Sequence, residues 1–231
     1  MRKIDYSIGY AKALRENRQK VNEEIDTPDM KLKIENWAKK FGYSSDEVRD
    51  HIIASPMFAD TFAKDPGKQS FHQHWAAKFI SENENVVDFE ELPAMGDKSM
   101  FISSGKVVYR PEVKEDKDTK SIDFKWTVHR DGVPLTFYAA HKYTAEGGGS
   151  QDNQYQDLKC FMRQAEQAHI PNVYFLAIAD GDYYQHPSSR KSKYASRIEE
   201  MNSLYGSNPN CVALTCNDID QFISDVLARK R

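Results

Sequence analysis

The chain has 231 residues, of which 35 are acidic and 32 basic, so its formal net charge is −3. Its content of 39% hydrophobic and 12% aromatic residues excludes a disordered chain, and its length indicates one core with room for a small accessory part. The negative sum excludes a uniformly basic DNA coat protein but leaves room for a local basic groove, because electrostatic steering depends on the distribution of charge.

The sequence pattern does not predict a membrane span or a signal peptide. No apolar run approaches the roughly 20 residues of a membrane span, and the polar N-terminus lacks the apolar segment of a signal peptide. The three cysteines have no spacing typical of a zinc site, which predicts reduced and mostly buried thiols. We therefore expect a cytoplasmic protein that does not bind a membrane.

Residues 1–69 are predicted to form a helical N-terminal subdomain, since apolar residues recur there with helical period. The expected helix-capping residues are Thr27 with Pro28, Gly42, and Ser44 with Glu47. Two helices joined at a glycine are also the layout of a helix-turn-helix. Ordinary helical packing, direct DNA contact and dimerisation are thus all open for this part.

The period changes after a further helix over 70–83. The predicted strands are 86–89, 99–103, 106–109, 121–128, 133–143, 173–179 and 212–215. The fourth and fifth runs surround Asp131-Gly132, which predicts a β-hairpin. The later helices are expected from Ser150, over about 194–205, and from Ile219 onward. This order indicates an α/β (α+β) fold in which a central mixed sheet is flanked by helices.

The segment from Asp123 to Gln154 is the most informative for chemistry. Asp123 and Lys142 lie on the two predicted hairpin strands, and a helix starts near Ser150 behind three glycines. A carboxylate that holds a divalent cation and a lysine that stabilises negative charge suit metal-assisted phosphodiester hydrolysis, and a helix start offers N–H groups to a phosphate. The alternative is a surface acid and a surface lysine that share a hairpin by chance.

Asp123 followed by Ala140-His141-Lys142 resembles the signature of the PD-(D/E)xK nuclease superfamily. The continuation from Lys142 through Gly147-Gly148-Gly149-Ser150-Gln151-Asp152-Asn153-Gln154, and the order of elements over 70–231, are similar to type II restriction endonucleases, with the closest likeness to small AvaII-like enzymes. The resemblance implies a restriction-endonuclease-like core over 70–231 in a prokaryotic homodimer.

The same resemblance implies a reaction and a site. The enzyme would hydrolyse phosphodiester bonds at a short palindromic site in double-stranded DNA, of GGWCC-like sequence, with Mg²⁺ as cofactor. Asp123 and the backbone carbonyl of His141 would hold the metal, and Asp123, position 140 and Lys142 would form the catalytic set. Two-fold symmetry of the dimer would match that of the palindrome.

Ala140 departs from the family pattern, which has Asp or Glu two residues before the lysine. Residues 138, 140 and 142 share one strand face, so the alanine stands where a second carboxylate should meet the metal. Three explanations are open. The chain is an inactivated variant, or another acid has taken over the role of metal ligand, or the motif is misaligned. The acids considered for that role are Glu112, Glu115, Glu146 and the glutamates of 82–91.

A basic segment after the sixth strand is the predicted DNA contact. It contains Arg190, Lys191, Lys193 and Arg197 behind two tyrosines, and such residues bind phosphates and guanine edges. Ser150, Gln151 and Asn153 at a helix start are further candidates. The alternative for the basic segment is a solvated loop without a ligand.

Two other functions compete with the nuclease. One is a non-catalytic, sequence-specific DNA-binding protein. The other is an α/β enzyme for a small phosphorylated ligand, which would use the Gly147-Gly148-Gly149-Ser150 turn. That turn lacks both the Gly-Lys-Ser/Thr of a P-loop and the full dinucleotide-binding spacing, so the nuclease is the preferred hypothesis.

Overall fold

The computed structural model describes residues 1–113, 120–145 and 149–229, and of residues 68, 69 and 149–151 it describes the backbone only. The chain divides into two compact units, one of Asp5–Trp75 and one of Met1–Ile4 with Ala76–Arg231. None of the helices within the described ranges is long and apolar enough to cross a membrane.

The first unit is helical. Its elements are α1 (Tyr6–Glu23), α2 (Pro28–Phe41), α3 (Ser45–Ala54), α4 (Pro56–Ala59), a 3₁₀ turn (Pro66–Gln69) and the start of α5 (Phe71–Ser81). The predicted caps are present: the Thr27 hydroxyl accepts the N–H of Met30, Gly42 adopts a left-handed φ of 78°, and Ser44 and Glu47 form a capping box. Val21, Met30, Ile34, Val48 and Ile52 form its buried core.

The second unit contains a five-stranded mixed sheet of order β1-β4-β5-β6-β7 and a separate β2-β3 hairpin. The strands are β1 (Val87–Glu91), β2 (Met100–Ser103), β3 (Lys106–Tyr109), β4 (Phe124–Arg130), β5 (Val133–Tyr143), β6 (Val173–Asp180) and β7 (Cys211–Leu214). The β1-β4 and β4-β5 pairs are antiparallel, and the β5-β6 and β6-β7 pairs are parallel. The predicted central mixed sheet with a helical N-terminal part is thereby confirmed.

Helices cover both faces of this sheet. The remaining helices are α6 (Gly149–Glu166), α7 (Asp182–Gln185), α8 (Arg197–Tyr205) and α9 (Ile219–Ala228). Alternate residues of β5 point into two separate cores: Ala140 packs with the α6 residues Leu158 and Phe161, whereas Phe137 and Ala139 pack with residues of α5 and α9. The period-2 alternation of β5 therefore assigns position 140 to the α6 face.

The central hairpin closes as predicted, with positive φ angles at Asp131 and Gly132 (52° and 76°) that a type I′ turn requires. Its first strand begins at Phe124 rather than at residue 121. Ser121 instead forms an isolated bridge with Phe101 of β2. Competition from β2 therefore shortens the predicted strand.

Two helix starts also differ from the prediction. Helix α6 begins at Gly149, so Ser150 lies within the helix and is not its cap. Helix α8 begins at Arg197 because the Ser196 side chain accepts the N–H of Glu199 as an N-cap. The three cysteines carry no disulfide, as predicted, and burial raises the pKa of Cys211 to about 12, which makes that thiol unreactive.

Candidate functional site

Asp123 extends the hydrogen bonding between β4 and β5 by one residue before the start of β4. Its backbone N–H donates to the Ala139 carbonyl at 2.8 Å, and its Oδ2 accepts the N–H of His141 at 2.8 Å. The carboxylate is buried, with the residue 5% exposed. Burial raises the pKa of Asp123, and the charge of Lys142 and the His141 N–H oppose that rise. A desolvated carboxylate at a strand end is thus held in place before any ligand arrives.

Lys142 lies near the end of β5, close enough for its charge to lower the pKa of Asp123. The structure therefore brings the predicted acid and lysine together at one end of the sheet. Ala140 lies on β5 two residues before Lys142 and is 4% exposed; it pairs with Ala177 of β6 and belongs to the apolar core beneath α6. Position 140 is thus a buried member of that core.

The His141 side chain lies on the other face of the sheet. Its Nε2 is 3.1 Å from Asp180 Oδ2, and Asp180 Oδ1 accepts the backbone N–H of Cys216 at 2.9 Å. Possible metal-ligand atoms of these three buried residues all lie within 4.8 Å of one another. Both carboxylate oxygens of Asp180 already take part in hydrogen bonds. His141, Asp180 and Cys216 therefore form a polar network that links β5, β6 and the segment before α9.

Two side-chain hydrogen bonds fasten the start of α6 beside the end of β5. The Thr144 hydroxyl donates to Gln154 Oε1 at 2.8 Å, and the Tyr183 hydroxyl donates to Asp152 Oδ1 at 2.5 Å. The second bond also ties α6 to the short helix α7. The end of β5, the first turns of α6 and the segment after β6 therefore form one connected region.

The basic segment lies next to this region, and its residues divide into two groups. Arg190, Lys191 and Lys193 are exposed, whereas Arg197 is buried. The Arg197 guanidinium donates to the carbonyls of Tyr183 and His186 at 2.9 and 3.0 Å, and it lies 3.7 Å from the centroid of the Tyr183 ring. Arg197 therefore does not belong to the exposed cluster that the sequence predicted; it supports the loop from inside.

We expect Arg197→Met to destabilise the protein by about 2–3 kcal/mol, because it leaves the buried Tyr183 carbonyl and the partly buried His186 carbonyl without their charged donor. Chemical denaturation would measure the change in the free energy of unfolding. The matched control is Arg190→Met, an exposed position at which the change should stay within about 0.5 kcal/mol. Equal effects of the two changes would contradict the supporting role of Arg197.

The structure describes only some of the remaining predicted site residues. Asn153 is exposed on the first turn of α6, and Glu112 is exposed after β3. The side chains of Ser150 and Gln151 lie outside what the structure describes, as do residues Glu115, Glu146, Gly147 and Gly148. Among the glutamates of 82–91, Glu91 ends β1 and raises the pKa of Asp123 further through its charge.

Sequence reasoning missed the residues that hold the region together. Thr144, Gly181 and Tyr183 carry none of the patterns that mark catalysis, and they act through specific contacts with distant residues. The Asp180-Gly181 pair directly after an apolar strand was the available signal, because a glycine there marks a position that requires unusual backbone angles.

Comparison of the chain with protein-family models, with curated proteins and with solved structures found no match.

Proposed function

We propose that this protein is a type II restriction endonuclease that hydrolyses phosphodiester bonds in double-stranded DNA with Mg²⁺ as its cofactor. The observation that carries the proposal is the position of Asp123 and Lys142 at one end of the sheet, with Asp123 directly before β4 and Lys142 on the adjacent strand β5. The successive strand pairs of this mixed sheet are antiparallel, antiparallel, parallel and parallel.

The donor at this site fits a hard divalent cation. Asp123 offers carboxylate oxygens, which Mg²⁺ prefers, and its burial disfavours the ionised form unless a positive charge compensates it. When bound, Mg²⁺ polarises a phosphoryl oxygen and lowers the pKa of a bound water. The His141 N–H keeps the Asp123 carboxylate oriented for this role.

Lys142 and the exposed cations have separate tasks. The Lys142 ammonium stabilises negative charge as it develops on the phosphoryl oxygens and orients the attacking water by hydrogen bonding. The loop before α8 carries the exposed residues Arg190, Lys191 and Lys193, and Arg197 supports the start of this segment through the Tyr183 carbonyl. The three exposed residues bind DNA phosphates or guanine edges. Asn153, exposed at the start of α6, is a further DNA contact.

Of the three explanations for Ala140, the burial of this position favours an acid supplied from elsewhere in the chain. A glutamate at 140 would be placed against Ala177 and the α6 core. We therefore propose that a carboxylate from another position joins Asp123. Glu91 has the charge that acts on Asp123, while Glu146 follows Lys142 closely in sequence.

We expect Ala140→Glu to produce no gain in cleavage and to lower stability by about 2–4 kcal/mol, since it overpacks an apolar layer and buries a charge. Plasmid cleavage with Mg²⁺ and thermal unfolding would be measured together. Ala140→Gln is the matched control, because it adds similar volume without the charge. A marked rise in cleavage in the glutamate variant alone would show instead that Ala140 replaces a lost acid.

The direct test is digestion of a sequenced plasmid with Mg²⁺, followed by mapping of the cut ends. We expect cuts at one short palindromic sequence, and we expect Lys142→Gln to slow cutting by about 10²–10³-fold. Lys125→Gln, which changes a β4 lysine paired with Glu90 at 2.8 Å, is the control and should cut normally. Specific binding of a duplex without cleavage by the native chain would favour the non-catalytic DNA-binding protein.

A further inference from the structure

A cavity of about 90 Å³ opens on the surface of the helical unit Asp5–Trp75. Its lining includes the apolar side chains of Val21, Met30 and Phe62, of which the first two are buried. A cavity that holds one water needs about 10–15 Å³ on this measure. The space is therefore large enough for a group the size of a phosphate.

Three lysines surround this cavity, and each comes from a different part of the unit. Lys20 belongs to α1, Lys33 to α2, and Lys64 follows α4. Asn17 fixes the third position, because its Nδ2 donates to the Lys64 carbonyl at 2.8 Å. Glu24 also lines the cavity, so the ring of side chains has an excess of two positive charges.

These lysines differ from two arginines of the same unit, which form ion pairs. Arg18 pairs with Asp60 at 2.7 Å and Arg49 with Asp26 at 3.2 Å. Among the residues that the structure describes, Lys20, Lys33 and Lys64 have no carboxylate within salt-bridge distance. Three lysines around one cavity, opposed by the single acid Glu24, favour an external anion there.

We infer that the cavity lined by Lys20, Lys33 and Lys64 binds a backbone phosphate of double-stranded DNA. This inference rests on the proposed function for the choice of DNA as the anion's source. Lysine ammonium groups bind phosphate as point charges without a required plane. Such a contact adds affinity without sequence information, and it makes the helical unit a second DNA-binding surface in addition to the loop of Arg190, Lys191 and Lys193.

Binding of a short duplex to the full chain in EDTA, where no cleavage occurs, tests the inference by fluorescence anisotropy across a salt series. We expect the triple variant Lys20→Gln, Lys33→Gln, Lys64→Gln to bind about tenfold more weakly and to lower the log–log salt slope by about 1, as loss of one phosphate contact should. The control triple variant changes the exposed Lys31, Lys39 and Lys40 to glutamine and should keep the native slope.

The ¹³C-methyl NMR signal of Met30, assigned with Met30→Leu, reports on the cavity directly. We expect it to shift on addition of the duplex, and not in the cavity triple variant. A response to inorganic phosphate but not to the duplex would overturn DNA as the ligand. Equal losses of affinity in the two triple variants, or native affinity in the first, would overturn the site itself.

These outcomes are separable from those of the cleavage test. A native chain that shifts Met30 with DNA but never cuts with Mg²⁺ would retain the phosphate site and refute the nuclease. A chain that cuts at a specific sequence while the cavity variant binds DNA normally would support the nuclease and refute the phosphate site.

Discussion

Replacing Asp123 by asparagine is expected to reduce Mg²⁺-dependent cleavage by about 10³-fold or more and, at neutral pH without metal, to raise the melting temperature. The first effect follows from loss of an anionic metal ligand, because the metal contributes several kcal/mol of charge stabilisation. The second follows from burial, which makes the ionised Asp123 unfavourable in the folded chain. Asparagine keeps an oxygen that can accept the His141 N–H.

The stabilising effect should depend on pH in a defined direction. Because burial raises the pKa of Asp123 above its ordinary value of 3.8, the native group stabilises the fold fully only below that value, and this stability is lost as pH rises through the folded-state pKa. The advantage of the asparagine variant should therefore be absent in acid and appear toward neutral pH. Thermal unfolding across a pH series measures it.

Mg²⁺ provides an independent readout for the same variant. Added Mg²⁺ should raise the melting temperature of the native chain and leave that of Asp123→Asn unchanged, since a ligand stabilises only a fold that binds it. The exposed Asp97 is the control position, and Asp97→Asn should respond to Mg²⁺ as the native chain does. Native cleavage by Asp123→Asn would refute the assignment of the metal to this residue.

Gly181→Ala is expected to destabilise the protein by about 3 kcal/mol and to weaken cleavage further than that loss alone would. Gly181 has φ 99° and ψ 162°, a region that only glycine occupies readily. An added Cβ would collide with the Thr144 carbonyl oxygen, which accepts the N–H of Tyr183. The change must therefore move the end of β5, two residues beyond Lys142.

Gly96→Ala separates this collision from the cost of positive φ. Gly96 has φ +89° with no atom within 4 Å of an added Cβ, so its substitution should cost only about 1 kcal/mol and leave cleavage unchanged. The free energy of unfolding from denaturant titration and the rate of plasmid cutting are the two measurements. Equal costs at the two glycines would show that the close approach to Thr144 has no energetic importance.

Local signals in the sequence predicted much of the fold. The caps at Thr27, Gly42 and Ser44 and the turn at Asp131-Gly132 act over a few residues, and the structure contains each of them. Strand and helix starts that depend on distant partners were less accurate. The β4 strand is the example, since β2 competes for the chain just before it.

The residues of the candidate site also divide into those with a local signal in the sequence and those without one. The sequence motif selected Asp123 and Lys142, and strand alternation placed Ala140 on their side of β5. The burial of Arg197 had no local signal, because a basic residue in a basic segment looks exposed until its packing against Tyr183 is known. The hydrogen bond from Tyr183 to Asp152 spans 31 positions of sequence and was equally invisible.

The connections from Thr144 to Gln154, and from Asp152 through Tyr183 to Arg197, bear on the order of folding. The bond from Tyr183 to Asp152 joins residues 31 positions apart, and the β5-β6 pairing beneath these connections is parallel. Non-local contacts of this kind form late, because the loops between them must close first. We therefore expect the region from the end of β5 to the start of α6 to reach its final geometry only after β6 and Tyr183 are in place.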